Sequence, residues 1–341
     1  MRVAYLVPES RISGGQRVVF QQAEELARRG VEVAIVAPSP PPDWFPLRGA
    51  SWEQGFGGSK ALAQADVRIA TFWTTVAPAL EGAEVPVFHL CQGYEADFSF
   101  YRAQHAAIRN AYAQRTRKLA IAPHLAARLR EEGHEAALIG QAFDADEFPP
   151  PVSRTDSARV PEILLVGPYE ADVKGIPEAL QALKALREEG AAFRLRRIST
   201  IAQSEDEASL GLAGSYSTNL GTAEMLKAYQ GADLLIGPSH PEEGFGLPVL
   251  EALSTGLPVA LADTPGHRHI ARGAAAYFRC GDAGAIRVCV ARLLESPAER
   301  SLLSRAGPEE AKRFRTAAVV DRLLEEFQKA LALPSAPPGR R

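Results

Sequence analysis

Two carboxylates and two glycines lie close together in residues 239–251, which read Ser-His-Pro-Glu-Glu-Gly-Phe-Gly-Leu-Pro-Val-Leu-Glu. Gly244 and Gly246 let the backbone approach a ligand closely, and the helix predicted after them offers amide N–H groups at a positive dipole end. A diphosphate suits that position. Glu243 and Glu251 suit the hydroxyls of a ribose or a sugar ring, because a carboxylate accepts two hydrogen bonds side by side. The pattern therefore indicates a site for a nucleoside diphosphate sugar.

The elements that hold this stretch follow from the residues on either side of it. The apolar run at 234–236 predicts a buried strand, Pro248 marks the start of a helix, and Gly256 marks its end. Strand and helix patterns alternate along the chain, and each βα unit requires a right-handed crossover and a parallel sheet. We therefore expect an α/β protein with strands over 3–7, 31–37, 67–70, 85–90, 163–166, 193–198, 234–236 and 259–262.

The chain length and one proline-rich segment indicate two domains. A chain of 341 residues is longer than one ordinary domain. Residues 141–161, which include three consecutive prolines, have the composition of an interdomain linker. We expect an amino-terminal domain over 1–150 and a carboxyl-terminal domain over 161–312. Residues 316–331 predict an amphipathic helix, and the proline-containing tail at 332–341 predicts disorder.

Composition, charge and cysteine count exclude several classes of protein. Hydrophobic residues make up 46% of the chain and the formal net charge is -3, which is typical of a globular protein and disfavours a nucleic-acid binder. The three cysteines are too few for a disulfide framework or a structural zinc site. No apolar run is long enough to span a bilayer. We expect a cytoplasmic protein.

A basic segment lies in the first half of the chain. Residues 98–130 contain no Asp or Glu, but they contain seven positive side chains: Arg102, Arg109, Arg115, Arg117, Lys118, Arg128 and Arg130. Two interpretations remain open. The segment is either a solvated helix surface or a face that contacts an anionic acceptor or membrane. The membrane interpretation predicts peripheral association with the inner face of the membrane.

Candidate residues for the acceptor, the second substrate, lie at the carboxyl ends of strands in the first half of the chain. Gly14 and Gly15 follow the first strand, but the Gly-x-Gly-x-x-Gly fingerprint is missing and no acidic residue follows the second strand, which disfavours an NAD enzyme. Polar residues also lie at the carboxyl end of the strand at 85–90 and directly after it, at the edge where open α/β sheets bind ligands. For the histidine among them a structural role in the core is the alternative. The candidates for acceptor contact are His89, Gln92 and Glu95.

Four further segments are interpreted from composition. Lys174 places an ammonium at the carboxyl end of a strand, where it suits a diphosphate. Residues 38–58 and 199–219 predict irregular loops, and the aromatic side chains of the first are expected to fix it to the core. Residues 263–269 predict another loop, whose two histidines, including His267, have too few companions for a metal site.

Together these motifs resemble the GT-B retaining glycosyltransferases of family 4, the glycosyl transferases of group 1. The resemblance implies two Rossmann-like domains that face each other across a cleft. It also implies that the carboxyl-terminal domain binds the nucleotide sugar and that the helix at 316–331 joins the first domain. It rests on Gly14-Gly15-x-Arg17, Lys174-Gly175, Pro238-Ser239, Glu243-Gly-Phe-Gly-Leu-Pro-x-x-Glu251-Ala252 and Gly256-x-Pro258-Val259.

The resemblance also implies roles for single residues. Glu251 is expected to bind the ribose hydroxyls, Glu243 to contact the donor sugar, and Lys174 to neutralise the diphosphate. His89 is expected to orient the acceptor, so the catalytic candidates are Glu243, Lys174 and His89. The remaining donor-binding candidates act through the backbone, from either side of the site: Gly14, Gly15, Gly244, Phe245, Gly246 and Leu247.

One position departs from the pattern of the family. An arginine usually follows the glycine that ends the first strand of the second domain, whereas Pro168 follows Gly167 here. Charge develops on the leaving diphosphate in the transition state, so a missing cation is expected to lower the rate unless another replaces it. Arg17 and Arg268 are the candidate replacements.

The expected reaction is transfer of a hexosyl unit from a nucleoside diphosphate sugar to an acceptor hydroxyl, with retention at the anomeric carbon. We expect neither a metal nor a cofactor, because Lys174 and the helix dipole are expected to stabilise the leaving group. The acceptor class, whether glycan, lipid-linked or small molecule, stays open. So do two alternatives on the same fold, a sugar-nucleotide epimerase and a nucleotide-sugar-binding subunit with weakened catalysis.

Overall fold

The computed structural model describes residues 1–152 and 159–332, which form two compact units. One unit contains Met1–Phe143 and the segment that begins at Phe314, and the other contains Asp144–Arg313. The boundary lies at Phe143, before the predicted residue 150, so much of the predicted linker belongs to the second unit. Residues 153–158 of that linker and residues 333–341 of the predicted tail lie outside the described residues.

The first unit is built on a parallel sheet. Its strands are β1 (Arg2–Leu6), β2 (Glu32–Ala37), β3 (Ser51–Gln54), β4 (Val67–Ala70), β5 (Val87–Cys91), β6 (Arg117–Ala120) and β7 (Ala136–Leu138). In the described part of this unit they have the order β3-β2-β1-β4-β5-β6-β7. Its helices before the boundary are α1 (Gly14–Arg28), α2 (Lys60–Gln64), α3 (Trp73–Leu80), α4 (His105–Ala113) and α5 (Pro123–Glu131).

The second unit repeats this design. Its strands β8 (Glu162–Val166), β9 (Arg194–Ser199), β10 (Ser215–Thr218), β11 (Leu234–Gly237), β12 (Val259–Ala262) and β13 (Ala276–Phe278) form a parallel sheet in the order β10-β9-β8-β11-β12-β13. Its helices are α6 (Ile176–Glu188), α7 (Glu205–Ser209), α8 (Thr222–Gly231), α9 (Leu247–Ser254), α10 (Pro265–Ala271), α11 (Ala283–Glu295) and α12 (Pro297–Ala311). The expected α/β class with two parallel-sheet domains is confirmed.

The last helix, α13 (Thr316–Ala332), belongs to the first unit. Its Phe327 ring lies 5.2 Å from the ring of Phe88 on β5, and Arg29 after α1 donates a 2.8 Å hydrogen bond to the carbonyl of Ala317. Among the helices of the described residues, none combines the length and the apolar composition needed to cross a bilayer.

Burial on both faces explains why the strands read as apolar runs. All four residues of β4 and of β12 are buried. In a parallel sheet the crossover helices cover both faces, so the strand sequence shows a continuous run rather than alternation. This is the reason that apolar runs located the central strands from sequence.

Three segments predicted as loops contain regular structure. Residues 38–58 include β3, 199–219 include α7 and β10, and 263–269 run into α10, whose N-cap hydroxyl on Thr264 accepts from the amide of His267 at 3.2 Å. These short elements lack the long apolar runs that marked the others. The aromatic side chains of the first loop do fix it to the core, with Trp44 and Phe45 within 5.6 Å of the Phe20 ring.

Candidate functional site

The chemistry-bearing residues of the second unit gather where β8, β11 and β12 end. β11 lies between β8 and β12 in the sheet, and the loops after the three strands leave the same edge because the strands are parallel. The loop after β8 carries Lys174, the loop after β11 carries Glu243, and the loop after β12 leads into α10. The carboxyl edge of a parallel sheet is where such folds bind ligands.

Gly175 brings the loop after β8 against the end of β11. Its φ of 61° lies in the left-handed region, and a Cβ at this position would lie 2.3 Å from the carbonyl oxygen of Pro238. Only glycine fits such a close approach without displacement of the backbone. The amide of His240 also donates a 2.9 Å hydrogen bond to the carbonyl of Val173, so the two loops are joined on both sides of Lys174.

Lys174 and Glu243 form an ion pair at the point where these loops meet. The Lys174 Nζ lies 2.8 Å from Oε1 and 2.7 Å from Oε2 of Glu243. The side chains keep 25% and 17% of their surface exposed, so the pair lies at the surface of the site rather than in the core. The structure therefore brings two predicted catalytic residues into direct contact, and a diphosphate at Lys174 has to compete with the Glu243 carboxylate.

The helix α9 begins at the glycine-rich stretch and carries Glu251 on a buried face. Its N-cap is Gly246, with a φ of 89°, a backbone conformation that suits glycine. The Glu251 side chain is buried and accepts a 2.7 Å hydrogen bond from the hydroxyl of Tyr229 on α8. The Tyr229 ring packs edge-on against Phe148 at 6.0 Å. Tyr229 thus fixes the orientation of the Glu251 carboxylate, a role that no local sequence pattern indicated.

Phe245 and His267 are buried at the glycine-rich stretch. The Phe245 side chain is buried, so a donor contact at this position has to come from its backbone. The buried His267 ring donates from Nδ1 to the carbonyl of Ala262 at 2.8 Å, and a Cβ on Gly246 would lie 3.8 Å from its Nε2. The ring supports the glycine turn and belongs to the first turn of α10. Residues 263–269 were predicted to form a loop, so the support that His267 gives to the turn at Gly246 was not predicted.

Pro168 follows Gly167 at the position where the family usually has an arginine. Arg197, which lies close to Gly167, has other partners. Arg197 donates 2.6 Å and 2.8 Å hydrogen bonds to the carbonyls of Leu165 and Gly167. It is fully buried and pairs with Glu207 at 2.6 Å, so it holds the end of β8 rather than a ligand.

The two candidate replacements for that cation lie in different units. The guanidinium of Arg268 is bound bidentately by Asp263 at 2.7 and 2.8 Å and lies 3.7 Å from the centre of the Tyr277 ring. The hydrogen bond from Arg268 lowers the pKa of Asp263, so the pair stays charged. Arg17 lies on α1 of the first unit and is buried. A clamp role for Arg268 therefore requires it to leave Asp263.

In the first unit Gly14, Gly15 and Gln92 come together at the carboxyl edge of the sheet. The two glycines form the first turn of α1, and the N-cap hydroxyl of Ser13 accepts from the amide of Gln16 at 3.2 Å. A Cβ on Gly15 would lie 3.3 Å from the Gln92 amide nitrogen, so the side chain of Gln92 closely approaches the helix start. The glycines are therefore part of the helix and not a free turn.

His89 does not lie where the sequence placed it. The residue is in the middle of β5, which runs to Cys91, and the ring has no exposed surface. It packs 4.6 Å from the Tyr112 ring, and burial, with Lys118 and His134, lowers its pKa to about 3. A neutral, enclosed imidazole does not contact an acceptor or exchange protons with one. The catalytic and acceptor roles expected for His89 are therefore corrected to a structural one.

Glu95 is also enclosed. Its carboxyl accepts a 2.7 Å hydrogen bond from the Tyr112 hydroxyl, and burial raises its pKa to about 7. It is 6% exposed, so it supports the loop after β5 rather than presenting a carboxylate to an acceptor. Of the three acceptor candidates, Gln92 alone keeps a partly exposed side chain.

Aromatic side chains occupy the same edge of the first sheet. The Phe98 and Phe100 rings stack at 5.3 Å with an interplanar angle of 19°, and Phe100 is 51% exposed. Phe98 lies directly over Gly93, where a Cβ would be 3.1 Å from its ring. Flat apolar rings beside polar groups are common in sites for organic ligands. Sequence reasoning missed this cluster because it judged residues 98–130 by charge alone.

The basic segment is partly neutralised by acidic residues that lie outside it in the sequence. Arg128 binds Asp97 and Glu132, each at 2.7 Å, and Lys118 is buried and donates to backbone carbonyls of its own turn. A membrane-facing role is not supported by these contacts. Among the described residues, no group of three or more His, Cys, Asp or Glu side chains is arranged to hold a metal ion.

The carboxyl-terminal unit matches a known family model. Residues 160–296 match the model described as glycosyl transferases group 1. The chain is 23% identical to the phosphatidyl-myo-inositol mannosyltransferase of Mycobacterium leprae over 368 aligned positions, which cover 96% of each chain.

Solved structures match the whole chain. Sucrose-phosphate synthase from Thermosynechococcus elongatus superposes with a TM-score of 0.76 at 16% identity and covers 97% of this chain and 99% of its own. Anabaena HepE in complex with UDP-glucose superposes with a TM-score of 0.75 at 14% identity and covers 96% of this chain and 100% of its own. These likenesses, with the two parallel-sheet units, establish the GT-B architecture.

Proposed function

We propose that this chain, which is a group 1 glycosyltransferase with the GT-B architecture, transfers a hexosyl unit from a nucleoside diphosphate sugar to an acceptor hydroxyl with retention. The observation that carries the proposal is the placement of Lys174, Glu243, Glu251 and the start of α9 on one edge of the second sheet. A cation and helix amides suit the diphosphate, and the two carboxylates suit the polyols on either side of it.

The diphosphate is bound in this proposal by Lys174 and by the amino end of α9. Lys174 carries a positive charge, and the amino end of α9 is the positive end of the helix dipole. Both therefore stabilise the negative charge that grows on the leaving phosphate as the glycosidic bond breaks. This stabilisation is stronger in the transition state than in the bound donor, which is the condition for rate enhancement. The proposed reaction draws it from the protein and needs no metal.

The carboxylates act on the two polyols of the donor. Glu251, oriented by the Tyr229 hydroxyl, accepts from the ribose hydroxyls, while Glu243 accepts from hydroxyls of the transferred sugar. When the donor binds, Glu243 exchanges the ammonium of Lys174 for sugar hydroxyls, and Lys174 exchanges the carboxylate for the diphosphate. Each charge keeps a partner throughout, which limits the cost of desolvation.

Retention follows from attack on the face that the leaving group occupies. In that geometry the departing phosphate oxygen takes the proton of the acceptor hydroxyl, so no separate protein base is needed. This agrees with the buried position of His89. We place the acceptor at the carboxyl edge of the first sheet, near Gln92 and the stacked rings of Phe98 and Phe100.

Two similarities support the substrate classes. The HepE structure is described as a complex with UDP-glucose, a nucleotide sugar, and the Mycobacterium leprae relative is named as a mannosyltransferase of a phosphatidyl-myo-inositol. We therefore propose a nucleotide hexose as donor. The aromatic rings near Gln92 suit an acceptor with a sugar-like or apolar face.

Donor binding to a Glu251→Ala variant tests the proposal. Loss of hydrogen bonds to a charged acceptor costs about 1.5–3 kcal/mol, so we expect the dissociation constant of the donor to rise about ten- to 150-fold in calorimetry. Glu189→Ala, which removes an exposed carboxylate paired with Arg287 elsewhere on the unit, serves as control and keeps wild-type affinity. Equal affinity of wild type and Glu251→Ala would remove the ribose assignment.

A further inference from the structure

A buried hydroxyl on α4 holds the loop that follows β5. The Tyr112 side chain has no exposed surface, and its oxygen lies 2.8 Å from the carbonyl oxygen of Gly93 and 2.7 Å from Oε2 of Glu95. Both are hydrogen-bond distances. Both partners belong to residues 92–97, the loop that also carries Gln92.

The two short contacts need more protons than the hydroxyl of Tyr112 can give. A hydroxyl has one proton, and neither a carbonyl oxygen nor an ionised carboxylate has a proton to donate. If Glu95 is ionised, one of the two contacts therefore joins lone pairs that repel each other. If Glu95 is protonated, its carboxyl donates to the Tyr112 oxygen while the Tyr112 hydroxyl donates to the carbonyl of Gly93. The protonated carboxyl thus satisfies both contacts at once.

The neighbouring groups do not supply the second proton or a counter-charge. The Cys91 thiol lies 3.4 Å from the carbonyl of His89 and donates to it. The acidic groups around Glu95 stay neutral near pH 7 because burial raises the pKa of each one, namely Cys91 on β5, Tyr94 and Tyr101 of the following loop, and Tyr112 on α4. Burial also lowers the pKa of both nearby imidazoles, those of His89 and His134, so they are uncharged.

Glu95 has no cationic partner among the described residues. The charged side chains of the adjoining elements have partners of their own, which are Asp97 for Arg128 on α5, Arg11 for Glu9 after β1, and backbone carbonyls for Lys118 on β6. Burial without such a partner raises the pKa of the Glu95 carboxyl to about 7. The protonated form that the two contacts require is therefore accessible near neutral pH.

The position of Gly93 decides where two groups of the proposed acceptor site lie. Gln92 precedes Gly93, and its side-chain nitrogen would lie 3.3 Å from a Cβ on Gly15 at the start of α1. The Phe98 ring lies over Gly93, where a Cβ would be 3.1 Å away. A shift of the backbone at Gly93 therefore moves Gln92 relative to Gly15 and changes the contact with Phe98.

We propose that protonated Glu95 and Tyr112 are positioning residues, which fix the backbone at Gly93 and with it the Gln92 side chain through a hydrogen-bond relay. The relay runs from the Glu95 carboxyl to the Tyr112 hydroxyl and on to the carbonyl of Gly93. When Glu95 loses its proton, the hydroxyl turns to the carboxylate and the carbonyl loses its donor, so the loop is held less tightly. The consequence for the acceptor rests on the proposed function, whereas the relay itself does not.

Amide hydrogen exchange of the full chain tests the relay without any substrate. The amides of Asp97 and Phe98 donate to the carbonyls of Tyr94 and Glu95, so their exchange reports on the loop. Glu95→Gln has an amide group that donates to Tyr112 at every pH. Its exchange is compared with that of wild type at the same pH, which cancels the intrinsic pH dependence. We expect equal exchange at about pH 6 and about fivefold faster exchange of wild type at about pH 8, because one hydrogen bond is lost.

Two tyrosine variants complete this experiment. Tyr112→Phe removes the donor to Gly93 at every pH, so we expect its loop to exchange faster than that of Glu95→Gln at both pH values. The matched control Tyr5→Phe removes the hydroxyl of another fully buried tyrosine of this unit, which bonds to Gln22 at 3.4 Å, and leaves the loop unchanged. Urea unfolding checks that each variant folds, and Glu95→Gln decides alone if Tyr112→Phe does not. The relay is overturned if the exchange rates of wild type and Glu95→Gln keep the same ratio at both pH values.

Steady-state kinetics test the consequence for the acceptor. Between about pH 6 and 8 we expect KM for the acceptor to rise about fivefold in wild type relative to Glu95→Gln, with kcat and KM for the donor nearly unchanged. Equal pH courses of the acceptor KM in the two proteins would overturn the positioning role. Exchange that follows the prediction in a protein that converts no acceptor would support the relay and contradict the transfer proposed above.

Discussion

Removal of the Glu243 charge is expected to strengthen the binding of a nucleoside diphosphate while it weakens turnover of the sugar nucleotide. In the structure Lys174 is held by Glu243 at 2.7–2.8 Å. A diphosphate without a sugar has to displace this carboxylate, and it gains nothing from Glu243 in return. Glu243→Gln keeps the shape of the side chain but releases the ammonium for the diphosphate.

The size of the effect follows from the exposure of the pair. Exposed ion pairs contribute about 0.2–1 kcal/mol, and hydrogen bonds to charged groups contribute about 1.5–3 kcal/mol. Since Lys174 is 25% and Glu243 17% exposed, we take about 1–2 kcal/mol for the competition that Glu243→Gln removes. The dissociation constant of the nucleoside diphosphate is then expected to fall about five- to thirtyfold.

The assay is calorimetry with the nucleoside diphosphate that stabilises the protein most in a thermal-shift series. Steady-state kinetics with the matching sugar nucleotide complete the comparison, where kcat/KM is expected to fall because the hydrogen bonds of Glu243 to the sugar are lost. Glu189→Gln, on an exposed carboxylate of the same unit, controls for the change in net charge. Weaker or unchanged binding of the diphosphate to Glu243→Gln would show that the ion pair does not compete with the ligand.

Three further predictions concern Tyr229, Arg197 and Glu95. Tyr229→Phe removes the 2.7 Å hydrogen bond to Glu251, so we expect KM for the donor to rise about fivefold at nearly constant kcat, a loss of about 1 kcal/mol; an unchanged KM contradicts the orienting role. Arg197→Ala leaves Glu207 buried and unpaired, and urea unfolding is expected to show a loss of about 3–5 kcal/mol; a loss below 1 kcal/mol argues against a stabilising pair. Burial raises the pKa of Glu95 to about 7, so the folded state retains its proton over roughly pH 4.5–7 while the unfolded state releases it. The stability of wild type relative to Glu95→Gln should therefore fall as the pH rises from about 4.5 to about 7, measured by urea unfolding, and a difference that stays constant over this range contradicts the prediction.

The central strands of both units, and the glycine-rich stretch of the second, were accessible to sequence reasoning. The central strands are buried on both faces, and their apolar runs located β4 and β12 at the bounds that the structure shows. The stretch around Gly246 combines a strand end, a left-handed glycine and a helix start, and each of these has a local sequence signal.

Other features depend on contacts between residues far apart in the chain. Tyr229 reaches Glu251 from another helix, and Arg197 reaches Gly167 from the next strand. His89 was misplaced because its burial depends on packing against Tyr112, a residue of α4, and no pattern along the strand reveals that contact. The direct ion pair of Lys174 with Glu243 depends on the close approach at Gly175, which no spacing along the chain reveals.

The stereochemistry of the product tests the central claim most directly. The donor is an α-linked sugar nucleotide whose nucleoside diphosphate stabilises the protein most in the thermal-shift series. It is incubated with the protein and a panel of glycan, lipid-linked and small polyol acceptors, and the anomeric proton coupling of the product is measured by NMR. We predict release of nucleoside diphosphate that depends on the acceptor, and a product with the α configuration. A product with the β configuration, a changed sugar nucleotide formed without any acceptor, or tight donor binding with no transfer across the panel would contradict the proposed reaction.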